Sequence, residues 1–418
     1  MTVEHNITDE WRLYMYLLRC AIRGEELDEK VLEEYKNVDS ISLRERANQN
    51  KQGFLMCSVI DRYCEFLKEE APANNNRMLA MRALGQYKCL RDVLELAKQK
   101  NIQLILFKGC VLAGLYPQYA LRNSCDTDIF VYKKDRQQAI DMLVGAGYVI
   151  NEEHSKNEVC VLVNSKFPHV IELHTCLWED YTGKRLDILE DMGLTDKDKL
   201  IELETCGFKV TTLGYEQHLL YQMFHIVKHF SLEGIGNKYL ADIALYVDAY
   251  GKYIDYDHLW EAFDRLDYSK FAYYIFVICS EFLGMDKAIL NGRQMPMGDE
   301  FVDFVLDLFN SGTVGIEKKD SWQIFGMMTP YFTGEKKAGK STFARKLAVV
   351  FPRSKDLQDC FGYAKKCPVL LPVAWLHRAV LFINKKYINK NEDMYSAGQK
   401  LDIAEKRINL LDKMGLMG

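Results

Sequence analysis

The chain has 418 residues, of which 48% are hydrophobic and 27% charged, and its formal net charge is −5. This balance is typical of a globular protein of two or three domains and excludes a low-complexity chain. The polar start predicts that there is no signal peptide. No apolar run approaches the roughly 18 residues that span a bilayer. The twelve cysteines are scattered and form no CxxC pair, which predicts free thiols in a reducing cytoplasm.

Positive charge is concentrated toward one end of the sequence. Residues 330–418 contain 17 Lys and Arg against 8 Asp and Glu, a net charge of +9, so the remainder carries −14. A basic segment of this kind predicts an anionic partner, which could be nucleotide phosphates, nucleic acid or a peripheral membrane surface. Docking of the basic segment on the acidic body is the alternative.

The first hundred residues predict helices. Apolar residues recur at intervals of three and four over 11–23, 53–69 and 77–100, with a break at 71–76 that holds Pro72 and three asparagines. We therefore expect an N-terminal helical region that covers residues 1–94.

Strands and helices alternate over residues 95–215. The predicted helices lie at 110–119 and 136–146, and the predicted strands at 104–107, 126–132, 159–163, 169–177 and 208–212. This order predicts an α+β core with a mixed sheet.

The sequence then becomes helical again. Helical spacing of apolar residues predicts helices at 216–230, 239–250, 258–266, 271–283, 368–386 and 401–414. We expect a helical region over 216–330 that lines a cleft of the core, followed by the basic C-terminal helical segment over 331–418.

Three carboxylates are predicted to meet on the sheet. Asp126 and Asp128 lie two residues apart on one predicted strand, so their side chains share a face, and Glu172 lies within another strand. Such like charges repel on a core strand unless a cation binds between them. Oxygen donors suit Mg²⁺, with Mn²⁺ as the alternative, and three carboxylates are enough for the two metal ions that assist phosphoryl transfer.

A candidate phosphate-binding turn precedes these acids. Lys108 and Gly109 end the first predicted strand, where backbone N–H groups at the start of a helix could meet phosphate. Lys108 would add a positive charge, and the guanidinium of Arg122 could bind phosphate oxygens in a fork.

The combination of Gly109, a helix and then Asp126-Thr-Asp128 resembles the nucleotidyltransferase signature of the DNA polymerase beta superfamily. The finer pattern is similar to an uncharacterised bacterial nucleotidyltransferase family of that superfamily. The matching elements, in chain order, are Lys108-Gly109, Tyr116, Arg122, Asp126-Thr-Asp128, Gly147-Tyr148, Glu172-Leu173-His174, His225, Lys228-His229 and Asp242-Ile243-Ala244.

The resemblance implies a polymerase-beta-like core flanked by helical regions, and an enzyme that transfers a nucleoside monophosphate from an NTP to an acceptor and releases pyrophosphate. The acceptor could be a sugar phosphate, a metabolite, a peptide or RNA. Asp126, Asp128 and Glu172 would be the catalytic and metal-binding residues, and Lys228 would contact phosphate. Cys110 stands where active members usually have Ser or Gly, so a catalytically inactive module that binds a nucleotide or a partner is the alternative.

Three other patterns have weaker support. Gly334–Ser341 matches the P-loop pattern, but the preceding segment is a poor strand, which favours a basic surface loop. His225 and His229 have a spacing that can bind zinc, although a packed helix face is the preferred interpretation. The apolar helix near 370–383 could lie on a membrane surface, but a core helix is preferred.

Overall fold

The computed structural model describes residues 7–70, 76–122, 124, 126–156, 158–178, 186–232, 234–311, 328, 351, 354, 357, 361–387 and 397–416. They divide into two compact units. The first unit comprises Met1–Ile226 and Gly236–Thr313, and the second comprises Val227–Ile235 and Val314–Gly418. The four regions inferred from the sequence, 1–94, 95–215, 216–330 and 331–418, stay a prediction about the domains.

Among the described residues, five helices precede the sheet. The Thr8 hydroxyl caps the first of them, and Gly24 ends it in the left-handed region (φ 66°), where glycine is favoured. Its buried face includes Trp11 and Tyr14. The helices are α1 (Asp9–Arg23), α2 (Glu29–Glu34), α3 (Ser40–Gln49), α4 (Gly53–Leu67) and α5 (Asn76–Gln99).

A seven-stranded mixed sheet forms the centre of the first unit. Its strands are β1 (Ile105–Leu106), β2 (Thr127–Phe130), β3 (Tyr148–Ile150), β4 (Val159–Asn164), β5 (Val170–His174), β6 (Ile201–Thr205) and β7 (Phe208–Thr212). The spatial order is β3-β4-β5-β2-β1-β7-β6. The β2–β5 and β1–β7 pairs are parallel and the other pairs antiparallel. The predicted α+β class with a mixed sheet is confirmed.

One face of the sheet is apolar. Ile129 of β2 and Leu173 of β5 are buried in a hydrophobic cluster with residues of α5 and of the helix α7 (Arg136–Gly145). Because side chains alternate along a strand, the residues on either side of Ile129 and Leu173 point to the opposite face. The carboxylates Asp128 and Glu172 therefore share that second face.

The helix predicted at 110–119 is shorter than expected. The structure has α6 at Gly109–Ala113, with Gly114 as its C-cap. Pro117 follows within one turn and disfavours a continued helix, because it restricts the residue before it and lacks an N–H donor. The first strand is also short, because Lys108 adopts a positive φ of 57° and turns the chain away.

The first unit contains further helices in addition to those before the sheet. They are α8 (Leu186–Asp191), α9 (Tyr215–Leu232), α10 (Asn237–Tyr250), α11 (Tyr256–Arg265), α12 (Ser269–Leu283) and α13 (Asp299–Ser311), of which α9 ends in the second unit. Phe107 of the sheet lies edge-on to Tyr221 of α9, with ring centroids 5.1 Å apart.

The second unit contains three further helices among its described residues: α14 (Gly362–Lys366), α15 (Leu371–Tyr387) and α16 (Ala397–Lys413). The P-loop-like segment Gly334–Ser341 lies outside the described residues. Within the described part of the chain, no helix is both long enough and apolar enough to cross a membrane.

Candidate active site

Two carboxylates lie side by side on the sheet. Asp128 of β2 is the direct partner of Glu172 in the parallel β2–β5 ladder. Asp126 lies two residues before Asp128, just ahead of the strand, so its side chain shares that face. The structure thus brings together the three acids that the sequence singled out, whereas their chemical role stays a prediction.

The two aspartates differ in their electrostatic surroundings. Burial, and then the negative charges of Asp128 and Glu172, raise the pKa of Asp126. Burial also opposes ionisation of Asp128, but the Lys108 ammonium and a hydrogen bond from His174 outweigh it and hold the pKa of Asp128 well below its usual range. The negative charges around Asp126 and Glu172 are therefore only partly balanced by the neighbouring cations.

Lys108 is directed at these acids. Its Nζ lies 2.8 Å from Oδ1 of Asp128, and its backbone N–H donates to Nε2 of His218 on α9 at 3.2 Å. Although burial disfavours the ammonium, the charge of Asp128 raises the pKa of Lys108 well above its usual value. The lysine is a cation at the carboxylates, and its predicted contact with a nucleotide stays a prediction.

His174 belongs to the same group, although no role was predicted for it from the sequence. It lies two residues after Glu172 on β5, and its Nε2 donates to Oδ1 of Asp128 at 3.2 Å and lies 3.6 Å from Oε2 of Glu172. One ligand atom from each of the three residues falls within 4.8 Å of the others. Asp128 and Glu172 supply oxygen donors that suit a divalent cation, and the imidazole would join them as a ligand only after Nε2 releases its proton and its bond to Asp128.

Gly109 is packed closely from one side. A Cβ at this position would lie 3.0 Å from Oγ of Ser124 and 3.4 Å from Nη1 of Arg122. The Ser124 hydroxyl donates to the backbone oxygen of Asp126 at 2.9 Å. A hydroxyl group therefore lies between the glycine turn and the carboxylates.

Cys110 does not face this turn. It is buried in the hydrophobic cluster under the sheet, and its backbone oxygen accepts a hydrogen bond from Oγ1 of Thr205 at 3.1 Å. The hydrogen bond with Cys206, and then burial, raise the pKa of the Cys110 thiol well above its usual value. The side chain at 110 is thus a core group, and the hydroxyl nearest to Gly109 comes from Ser124.

Arg122 binds a carboxylate on α10. Its Nε and Nη2 lie 2.7 and 2.8 Å from the two carboxylate oxygens of Asp242, while Nη1 donates to the backbone oxygen of Gly109 at 3.1 Å. Tyr116 also donates to Asp242, at 2.8 Å. Because the fork is directed at Asp242, the geometry disfavours the predicted direct contact of Arg122 with phosphate. It indicates that Arg122 positions the glycine turn.

Lys238 is a further cation near the site. It lies one turn before Asp242 on α10, hence on the same side of that helix. Burial, and then the charge of Arg122, lower the pKa of Lys238 to about 8, while the charges of Asp242 and Asp126 act in the opposite direction. Lys238 was not predicted from the sequence, although a lysine four residues before Asp242 was a readable signal.

Lys228 lies on α9 in the part of that helix assigned to the second unit. The contact of Lys228 with phosphate therefore stays a prediction, because the geometry of the first unit does not test it. Within the described residues, the cluster able to hold a metal does not include His225 or His229. His225 instead packs near the rings of Tyr221 and Tyr239, with centroids 6.1 and 6.0 Å away.

Comparison with known proteins agrees with this geometry. The model of a family described as uncharacterised nucleotidyltransferase matches residues 68–284, which is more than half of the 418-residue chain. The match contains the whole sheet and every residue of the site described above. Neither the curated proteins nor the solved structures gave a match. The chain belongs to this uncharacterised nucleotidyltransferase family.

Proposed function

We propose that the protein transfers a nucleoside monophosphate from an NTP to a hydroxyl or phosphate oxygen of an acceptor. The acceptor oxygen bonds to the α-phosphorus, the bond from that phosphorus to the bridging oxygen breaks, and pyrophosphate leaves with its electron pair. Where the acceptor is a hydroxyl, its proton would pass to Glu172 as the base. The observation that carries the proposal is the side-by-side placement of Asp128 and Glu172, with Asp126 on the same face. Family membership supports the same reaction class.

The carboxylates fit a cation site. Asp126, Asp128 and Glu172 would hold two divalent ions, Mg²⁺ or alternatively Mn²⁺, whose charge would offset that of the triphosphate. The raised pKa of Asp126, caused by burial and by the neighbouring acids, supports this assignment because a bound cation relieves such repulsion. His174 orients Asp128 through its hydrogen bond, as groups next to metal ligands commonly do.

The glycine turn accommodates the triphosphate. The Ser124 hydroxyl lies beside Gly109 and would donate to phosphate on exchanging its present bond to the backbone oxygen of Asp126. Arg122 holds the Gly109 carbonyl and so fixes the turn. Lys108 and Lys238 add positive charge, and Lys228 is retained as a predicted phosphate contact. Catalysis then rests on positioning and charge neutralisation, as is usual in phosphoryl-group chemistry.

The binding of each of the four NTPs, measured by calorimetry with and without Mg²⁺, tests the site. We expect binding in the wild type that requires the metal and is lost in the double variant Asp126→Asn/Asp128→Asn. The matched control is Asp135→Asn/Asp141→Asn, which removes two carboxylates beside and on α7 and should leave binding unchanged. Thermal unfolding of each variant shows whether it is folded.

The outcomes separate the alternatives. Metal-dependent binding together with pyrophosphate release in the presence of sugar phosphates, peptides or RNA supports the enzyme. Tight binding with no pyrophosphate release from any of these acceptors supports the non-catalytic module. Binding that survives in the folded Asp126→Asn/Asp128→Asn variant contradicts the site proposed here.

A further inference from the structure

Two cysteines meet next to the glycine turn. Cys110 is the second residue of α6, and Cys206 lies in the turn that connects β6 to β7. Sγ of Cys206 lies 3.6 Å from the backbone oxygen of Cys110, and the two thiols are hydrogen-bonded to each other although they are 96 positions apart in the sequence. Both are free thiols. Two thiols in contact can form a disulfide with little movement of the backbone.

The β6–β7 turn is an unusual place for a cysteine. Thr205 pairs with Phe208, so Cys206 and Gly207 are the two central residues of the turn, and their φ angles are 53° and 81°. Two positive φ angles are typical of a type I′ turn, which favours Asn, Asp or Gly. The left-handed backbone of Cys206 therefore has a steric cost, and in this conformation its thiol contacts α6.

The turn is fixed against α6. Oγ1 of Thr205 donates to the backbone oxygen of Cys110 at 3.1 Å. A Cβ at Gly114 would lie 2.3 Å from the same Oγ1, so the helix can approach the turn this closely only because position 114 has no side chain. The surrounding backbone thus holds the two thiols in contact.

Cys206 is the more reactive of the two thiols. It is partly exposed, whereas Cys110 is buried. The hydrogen bond from Cys110 holds the pKa of Cys206 below its usual value although burial opposes it. Hydrogen bonds from Thr205 and Tyr87, and the charge of Arg122, act in the same direction. Because the thiolate is the form that reacts with oxidants, Cys206 would react first.

We propose that Cys110 and Cys206 form a reversible disulfide when the protein meets a peroxide, and that this bond fastens the start of α6 to the β6–β7 turn. The Cys206 thiolate attacks one oxygen of hydrogen peroxide, the O–O bond breaks, and the other oxygen leaves as hydroxide, which a proton converts to water. The sulfur of Cys110 then attacks the Cys206 sulfenic acid, gives up its proton and displaces a second water. Two thiols are oxidised and one peroxide is reduced, and a dithiol reverses the step as it becomes a disulfide itself.

The bond acts beside the proposed nucleotide site, because Gly109 directly precedes Cys110. The strand β6 is an edge of the sheet, and β7 and β1 separate it from β2 and its carboxylates. Closing the disulfide draws the start of α6 toward that edge and Gly109 away from Asp128. We expect the oxidised chain to bind NTP about fivefold more weakly or less. This effect rests on the function proposed above, whereas formation of the disulfide does not.

Oxidation of the full-length chain with hydrogen peroxide tests the proposal. Intact-mass spectrometry should show the loss of two hydrogen atoms, and peptide mapping should place the bond between Cys110 and Cys206. The oxidised chain should unfold at a temperature about 5 °C or more above that of the reduced chain, because a cross-link over so long a span restricts the unfolded chain. Dithiothreitol should reverse the shift.

Two variants and a control accompany this measurement. Cys206→Ser should lose both the mapped bond and the shift in unfolding temperature. Cys110→Ala removes the other sulfur and should give the same result, so the test does not depend on one variant. The matched control is Cys367→Ser, which removes an exposed thiol of the second unit and should behave like the wild type. Circular dichroism shows that each variant is folded.

Three results would overturn the proposal. One is a wild type in which Cys110 and Cys206 stay free at peroxide concentrations that oxidise the exposed Cys367. Another is a mapped bond from Cys206 to a different cysteine, and the third is a shift in unfolding temperature that persists in folded Cys206→Ser.

Calorimetry with Mg²⁺ and NTP separates the two proposals. Equal NTP affinity of the oxidised and reduced chains would contradict the effect of the disulfide on the glycine turn. A reduced chain that binds no NTP would contradict the function proposed above, while the mapped bond and the unfolding temperature would still decide whether the disulfide forms.

Discussion

The folded structure changes the interpretation of Gly109, Cys110 and Ser124. By position in the chain, Cys110 occupies the place of a phosphate-binding serine. In the structure its thiol is a core group, and the hydroxyl next to Gly109 belongs to Ser124. The two segments meet because β1 and β2 pair antiparallel. Loss of a hydroxyl at 110 is therefore not by itself a sign of lost nucleotide binding.

Ser124→Ala tests this reassignment. Removing a hydroxyl that donates to a phosphate oxygen costs a charge-assisted hydrogen bond, so we expect NTP affinity to fall about tenfold. Calorimetry with Mg²⁺ and the NTP that the wild type prefers measures the change. The control is Ser165→Ala, whose exposed hydroxyl donates to the backbone oxygen of Gly147 and should leave affinity unchanged. Equal affinity of wild type and Ser124→Ala would exclude a contact between this hydroxyl and the nucleotide.

Among the secondary structure elements, α10 is connected to the glycine turn through Asp242 and Arg122. Asp242 on this helix receives three hydrogen bonds, two from the Arg122 guanidinium and one from Tyr116. Both partners of the ion pair are buried, with side-chain exposures of 6% and 4%. A buried guanidinium left without its carboxylate is costly, because neither water nor another anion replaces the lost interaction.

Asp242→Asn should therefore destabilise the fold. We expect the free energy of unfolding to fall by about 3 kcal/mol, since the substitution keeps the shape of the side chain but removes the charge that balances Arg122. Urea unfolding followed by circular dichroism measures it. Glu281→Gln is the control, because Glu281 pairs with Lys287 on the surface, where an ion pair is worth about 1 kcal/mol or less. If the two variants lost equally little stability, the α10 connection would be weaker than the geometry indicates.

For the molecule as a whole, the N-terminal helices and the sheet belong to one compact unit. Trp11 of α1 lies edge-on to Phe282 of α12 with ring centroids 4.5 Å apart, and the backbone N–H of Asn237 donates to Oδ1 of Asn50 at 2.9 Å. The part of the chain that matches the family begins at residue 68. Its packing thus depends on helices that precede it in the chain.

The stability of the whole unit should also depend on pH through buried histidines. His169 is 1% exposed and is hydrogen-bonded to Thr127 and Tyr148, at 3.0 and 2.7 Å. Burial lowers the pKa of His169 from 6.5 to about 4, so between these two pH values the unfolded chain binds more protons than the folded one. The contribution of neutral His169 to the free energy of unfolding is complete above about pH 6.5 and is lost as the pH falls toward 4.

Urea unfolding at about pH 7 and about pH 5 tests this dependence. Replacing His169 with Gln should lower stability at the higher pH but reduce the acid-induced loss by about 2 kcal/mol, because the titrating group is gone. His154→Gln is the control, since His154 is exposed, and it should keep the wild-type difference between the two pH values. An unchanged difference in His169→Gln would show that other groups cause the acid sensitivity.

Much of this fold was predictable from local patterns. The alternation of Asp126, Asp128, Ile129 and their neighbours predicts a strand with acids on one face, and helical spacing predicts most of α1, α4, α5 and α9–α12. The edge strands β3 and β6 and the short helices α2, α3 and α8 were not predicted, because short segments give weak periodic signals. For β6 the alternation in Ile-Glu-Leu-Glu-Thr was nevertheless readable.

The arrangement of the site required the folded chain. Nothing local indicates that Asp128 lies beside Glu172, that Arg122 binds Asp242, or that Lys238 lies near Asp126, since these partners are 44 to 120 residues apart in the sequence. The period of a strand determines which face a side chain occupies, and this information is carried by adjacent residues. Strand order, register and the packing of α10 on the glycine turn depend on the burial of distant surfaces against one another. That contribution to the free energy exists only when the whole unit is assembled.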